Sequence, residues 1–131
     1  MRPGTYRDAA MAANDTLELF RPVGQRELEL IRDSGWSRFP PRQPSQPFFY
    51  PVLTKDYAAS IARNWNTKDL DSGYTGYVLR FKVIKDYIDR YEIHQVGGSK
   101  CREYWIPAEE LDEFNNNIVG TIEVIQRFVP H

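Results

Sequence analysis

The chain is poor in the residues that staple or metallate small proteins. Its single cysteine, Cys101, excludes an intramolecular disulfide and a cysteine-based metal site. Its two histidines, His94 and His131, do not build a metal cluster by themselves, so no metal is expected. No run of about 18 apolar residues occurs, so no membrane-spanning helix is expected. The first residues lack a basic-then-apolar leader pattern, and a soluble, cytoplasmic protein is the expectation. The shortage of cysteine fits a reducing compartment. Neither sign of charge is in excess: the net charge is −1 and the pI about 6.1, with no general footprint for nucleic acid or membrane. A local basic groove stays open, because Arg21, Arg26, Arg32, Arg38 and Arg42 lie close together in sequence. The chain also lacks a phosphate-cradling glycine loop, a Gly-x-Ser-x-Gly elbow and a His-Glu-x-x-His zinc motif.

What is present suits one globular domain of 131 residues, with a 41% hydrophobic and 14% aromatic share that excludes a disordered chain. Residues 1–16 are small and polar and read as a flexible tail, leaving 17–131 as the folded domain. Leu17 to Arg21 alternates as a strand, which Pro22 is expected to end by removing a ladder donor. Gly24 opens a helix with Leu28 and Ile31 inward, and Gly35 suits its left-handed cap. Prolines 40, 41, 44 and 47 make the following segment a stiff loop. Phe48-Phe49-Tyr50 reads as a short strand, and Thr54 caps a helix carrying Tyr57, Ala58, Ile61, Ala62 and Trp65 at helical spacing. Tyr77 to Val83 is the clearest strand. Lys85 to Arg90 reads as a helical turn. Strands at Tyr91–Val96 and Arg102–Ile106 form a hairpin about Gly97-Gly98. Pro107 suits the first position of a helix that buries Leu111 and Phe114. Val119 to Phe128 is the last strand, with Gly120 marking a bulge. Helices clustered early and strands clustered late predict an α+β domain.

Most chemically interesting residues have plain readings. His94 reads as a strand residue, Cys101 has no partner base, and Trp65 reads as core. Glu109, Glu110, Asp112 and Glu113 read as a solvated helix face. Three features stand out: Arg21 at the end of the first strand, Phe49-Tyr50 before a helix of small residues, and Glu103 between Arg102 and Tyr104-Trp105. Singly, each also suits a surface ion pair, a core ring or a solvent-facing carboxylate.

In this order, however, the three resemble the ADP-ribosyltransferase superfamily. Phe49-Tyr50-Pro51-Val52-Leu53-Thr54-Lys55-Asp56-Tyr57-Ala58-Ala59 looks like the strand–helix segment of poly(ADP-ribose) polymerases. Arg102-Glu103-Tyr104-Trp105-Ile106 looks like the segment around the catalytic glutamate of that family. Leu19-Phe20-Arg21 looks like its first strand. From about Leu17 to Ile125 the chain also resembles small bacterial proteins labelled "ADP-ribosylation/crystallin J1". The shared stretches are Leu19-Phe20-Arg21-Pro22-Val23-Gly24, Phe39-Pro40-Pro41-Arg42, Glu103-Tyr104-Trp105-Ile106-Pro107-Ala108-Glu109 and Ile118-Val119-Gly120.

The resemblance implies a single domain of split antiparallel sheets with a few flanking helices. It implies transfer of ADP-ribose from NAD, as substrate, to an unknown acceptor: a protein, a nucleic acid or a small molecule. Glu103 would be the catalytic residue, bonding the 2′-hydroxyl of the nicotinamide ribose. Arg21 would hold a phosphate or ribose, Tyr50 would stack on nicotinamide, and Arg38 and Arg42 would flank the pyrophosphate. Pro22 stands where polymerase-type members have a glycine whose backbone bonds the nicotinamide carboxamide. Ile61 stands where they have a second stacking tyrosine, and Tyr57 lies one helical turn earlier. Cys101 stands where arginine-modifying toxins have a second acid, so arginine is disfavoured as acceptor. The alternatives are a catalytically silent member that binds a nucleotide or a protein, and an interaction domain using Trp36, Trp65 and the proline loop.

Overall fold

The computed structural model describes residues 15–130. The expected tail therefore lies outside the described residues up to position 14, and Thr16 already belongs to the first strand. In chain order the elements are β1 (Thr16–Val23), α1 (Gln25–Asp33), β2 (Phe48–Phe49), α2 (Lys55–Asn64), β3 (Gly76–Ile84), α3 (Lys85–Ile88), β4 (Ile93–Gln95), β5 (Arg102–Tyr104), β6 (Ile106–Pro107), α4 (Leu111–Asn116) and β7 (Ile118–Phe128). Single 3₁₀ turns at Asn66–Lys68 and Leu70–Ser72 follow α2, and another at Ala108–Glu110 precedes α4. This is a mixed α+β fold with small antiparallel sheets, as the pattern of elements predicts. No described helix is long and apolar enough to cross a membrane.

The main sheet has the order β1-β3-β7, with β3 central because its side chains are apolar on both faces. One face packs Leu19, Val23, Leu79, Phe81 and Val83 against Phe39, Phe49 and Phe114. The other face packs Phe20, Val52 and Val78 against Ala58, Ala59 and Ala62 of α2. Small residues on α2 let the helix lie close to the sheet. At its end a Cβ on Gly76 would stand 2.5 Å from the Ala62 carbonyl oxygen, so only glycine fits there. Gly24 is as crowded against the 3₁₀ turn, where a Cβ would lie 2.5 Å from the Ser72 Cα. These two contacts set the segment after α2 beside the end of β1.

Pro22 does not end β1, which runs on to Val23 with Pro22 opposite Val78. The reason lies in the period of the strand. Phe20 exchanges both backbone bonds with Val52, at 2.9 and 2.8 Å, on the side away from β3. Two residues on, the nitrogen of Pro22 faces that same side, so its missing N–H removes nothing from the β1–β3 ladder.

Val52 also forms a bridge to Glu103 of β5. Leu53 donates to Arg102 and Tyr104 donates to Pro51, at 3.1 and 2.9 Å. The segment Pro51–Leu53 thus joins the main sheet to the β4–β5 hairpin. That hairpin has His94 opposite Glu103 and turns through Gly97 at φ +86°. Its first strand is shorter than expected, only Ile93–Gln95. The expected single strand 102–106 divides at Trp105. Beyond the break, Ile106–Pro107 pairs with Phe48–Phe49 instead, so Pro107 lies in a strand and α4 starts later, at Leu111. Tyr50 falls just past β2. Gly120, at φ +77°, lies within a register shift of β7 against β3, as expected of a bulge.

Candidate functional site

At the seam between the main sheet and the hairpin lies a cleft of about 670 Å³. Arg21 and Pro22 reach it from β1, Tyr50 and Val52 from the linking segment, and Glu103 from β5. The end of α2 and the turn after it supply Ile61, Asn64, Trp65, Asn66, Lys68 and Asp69. Residues 21, 50 and 103, far apart in sequence, therefore share one cavity. A second hollow of about 360 Å³ adjoins it and shares Arg21, Pro22, Asn66 and Asp69. Arg26, Arg42 and the prolines 40 and 41 line this second hollow.

Glu103 is half-buried and both of its carboxylate oxygens are held. The Tyr57 hydroxyl donates to Oε2 at 3.0 Å, and the Trp105 indole N–H donates to Oε1 at 2.9 Å. Tyr57 reaches it from the first turn of α2, which Thr54 caps by accepting from the Tyr57 N–H at 3.2 Å, as the sequence predicts. Burial, and then the bond to Glu103, push the Tyr57 phenol from 10.0 up to about 12. The phenol is thus a proton donor throughout the neutral range. The stabilisation from this bond is complete below pH 10 and is lost as the pH rises through 12, because only the neutral phenol donates. In tyrosine-labelled protein, the ring carbon resonance of Tyr57, assigned with Tyr57→Phe, is expected to remain in its phenol position at a pH of about 11, where a free tyrosine is mostly ionised. A midpoint near that of free tyrosine would exclude the bond.

Arg21 is buried, and its guanidinium forms a fork with Glu27 of α1 through Nε at 2.6 Å and a terminal nitrogen at 2.9 Å. The other terminal nitrogen points to the Tyr50 carbonyl at 3.5 Å, and the group lies 4.6 Å from the Phe49 ring centroid. Its charge is therefore balanced within the protein. Arg42 donates from Nε to the Phe48 carbonyl at 3.0 Å. Burial, and next the charge of Arg21, lower its guanidinium from the ordinary value. Arg42 stands in the second hollow beside the cleft and not in the cleft itself.

Arg38 departs from expectation. It bonds Asn116 at 3.0 Å and pairs with Asp112 at 3.5 Å, because α4 packs beside the proline loop, and it lines neither hollow. The expected run of basic residues divides in the same way: Arg32 pairs with its neighbour Asp33, while Arg21, Arg26 and Arg42 converge.

Trp65 also departs from expectation. It is 73% exposed and walls the cleft, because the helix ends at Asn64 and Trp65 caps it outside the apolar stripe. The polar neighbours Asn64 and Asn66 are the sequence signal for that exposure. Two further residues join the site: Trp105 bonds Glu103 from two positions along the same segment, while His94 carries no local signal, since its contact lies across the hairpin. The His94 ring lies parallel to the Trp105 indole, 3.9 Å between centroids and 6° between planes.

No protein-family model matches the chain, and no curated protein matches it.

Proposed function

We propose that this domain is an NAD-dependent ADP-ribosyltransferase with the split-sheet fold of that superfamily. The observation that carries the reading is the convergence of Arg21, Pro22, Tyr50 and Glu103 from three chain segments on one cleft. The two half-sheets that meet along Pro51–Leu53 support the fold assignment.

In the proposed reaction the bond between the ribose anomeric carbon and the nicotinamide nitrogen breaks. Its electron pair goes to the ring nitrogen, so nicotinamide leaves neutral. The ribose is left with oxocarbenium character, and a nucleophile of the acceptor closes on the anomeric carbon and loses a proton. The Glu103 carboxylate stabilises the developing positive charge and binds the 2′-hydroxyl. The donors Tyr57 and Trp105 keep it oriented, so little reorganisation accompanies the step. Tyr50 offers a ring for nicotinamide, at about 0.5–1.5 kcal/mol for an offset contact. The second hollow, with Arg26 and Arg42, suits the pyrophosphate. Arg21, balanced by Glu27, shapes the cleft wall, and the terminal nitrogen that points to the Tyr50 carbonyl keeps a second N–H for a ribose or phosphate oxygen. Cys101 in place of a second acid disfavours arginine as acceptor.

A specific observation favours a second reading, in which the fold binds a nucleotide without turnover. Pro22 lines the cleft and has no N–H for a carboxamide. Calorimetry with NAD, followed by measurement of released nicotinamide, separates the two. Binding with release by wild type and not by Glu103→Gln supports the transferase, binding without release supports the silent reading, and no binding at millimolar NAD removes both.

A further inference from the structure

Glu103 takes one of its two hydrogen bonds from Trp105, two residues along the same chain segment. That donor sits where the strand breaks between β5 and β6, so no ladder fixes the residue, and its indole must fold back to reach the carboxylate. A side chain with two free torsions holds such a direction only when its faces are packed. One ring packs flat on it. His94 stands opposite Glu103 in the hairpin register, and its ring is stacked on the indole at 3.9 Å and 6°. Phe48 and Tyr50 meet the same indole at tilted and perpendicular angles, 5.8 and 6.2 Å between centroids. The flat contact comes from the strand opposite the carboxylate, while the other two rings come from β2 and the residue just past it.

From this geometry we infer that His94 is a positioning residue. It acts through Trp105 to hold the hydrogen bond on Glu103, and it does so by the face of its ring. The kinetic arm of the test rests on the transferase reading; the spectroscopic arm does not.

Three variants of the full chain separate the ring from the imidazole. His94→Ala removes the plate, His94→Phe keeps a flat ring without nitrogens, and Trp105→Phe removes the donor. In nicotinamide release from NAD, His94→Ala is expected to lower kcat about tenfold with little change in KM, the pattern of an interaction that matters in the transition state. His94→Phe is expected to recover kcat to within about twofold, and His94→Ala with Trp105→Phe to be no worse than Trp105→Phe alone, since both act through one bond. An unchanged kcat in His94→Ala, or full additivity in the double variant, overturns the inference. Without any nicotinamide release, the indole N–H resonance of Trp105 decides alone. Its exchange with water is expected to rise about tenfold in His94→Ala and to return to the wild-type rate in His94→Phe. Equal exchange in all forms overturns the inference even if the enzyme turns over NAD.

Discussion

Glu103→Gln is expected to lower nicotinamide release from NAD by about 10²–10³-fold, with NAD affinity changed little. The amide keeps the size of the side chain and one acceptor oxygen, so it can still bond a hydroxyl. It does not carry the charge that the oxocarbenium-like ribose requires. One feature sharpens the prediction. Both carboxylate oxygens accept, from Tyr57 and from Trp105. The amide has only one acceptor oxygen and must turn its NH₂ toward one of those donors. One donor therefore loses its partner, and Glu103→Gln also loosens the local array. Single-turnover release separates the two effects. A loss confined to the chemical step places the effect in charge, whereas an equal loss in NAD affinity by calorimetry places it in geometry. Undiminished turnover would remove Glu103 from the mechanism.

Glu27→Ala is expected to destabilise the fold by about 3 kcal/mol, the low end for breaking a buried pair. Arg21 is only 7% exposed and has its fork on Glu27, which keeps 21% side-chain exposure. Loss of the carboxylate leaves an unbalanced guanidinium against Phe49, at the junction of β1, α1 and the cleft. Chemical denaturation measures the change. Millimolar phosphate is expected to recover part of it if the freed guanidinium binds the anion, and Arg21→Met with Glu27→Ala is expected to be milder than Glu27→Ala alone, since both charges then leave together. A Glu27→Ala variant as stable as wild type would show that the pair adds nothing to the fold.

The elements most legible in the sequence are those whose cause is local. The alternation of Tyr77–Val83 lies within β3, and Thr54 caps α2 as its side chain dictates. Gly35, with φ of +78°, follows α1 where a left-handed residue was expected. Errors occur where the partner decides. Residues 102–106 read as one strand, so nothing within them marks Trp105 as the point where pairing passes from β4 to β2. Pro22 stops a strand only if its nitrogen faces a ladder, and that depends on where Val52 lies. Arg21, Tyr50 and Glu103 stand out together in the sequence only through the resemblance of three separate segments to one superfamily, and the fold brings the three to one cleft. The contribution of His94 is not legible in the sequence, because its stacking on Trp105 exists only in the register of the hairpin. Trp65 differs from its core reading for a related reason: helical spacing runs one residue past the helix that creates it.

The seam at Pro51–Leu53 has a consequence for how the chain tolerates length changes. Four backbone bonds cross it, two at Val52 and one each at Leu53 and Pro51, and together they fix the phase of β5 relative to β1. Side chains on a strand alternate between faces, so slipping β5 by a single position would turn Glu103 away from the cleft while leaving the chain well paired. The stretch 43–46 of the proline segment, which carries no ladder and no buried residue, has no such phase to lose. Insertions there change a rim, whereas one added residue between Tyr50 and Thr54 would produce a folded protein with its carboxylate on the wrong side.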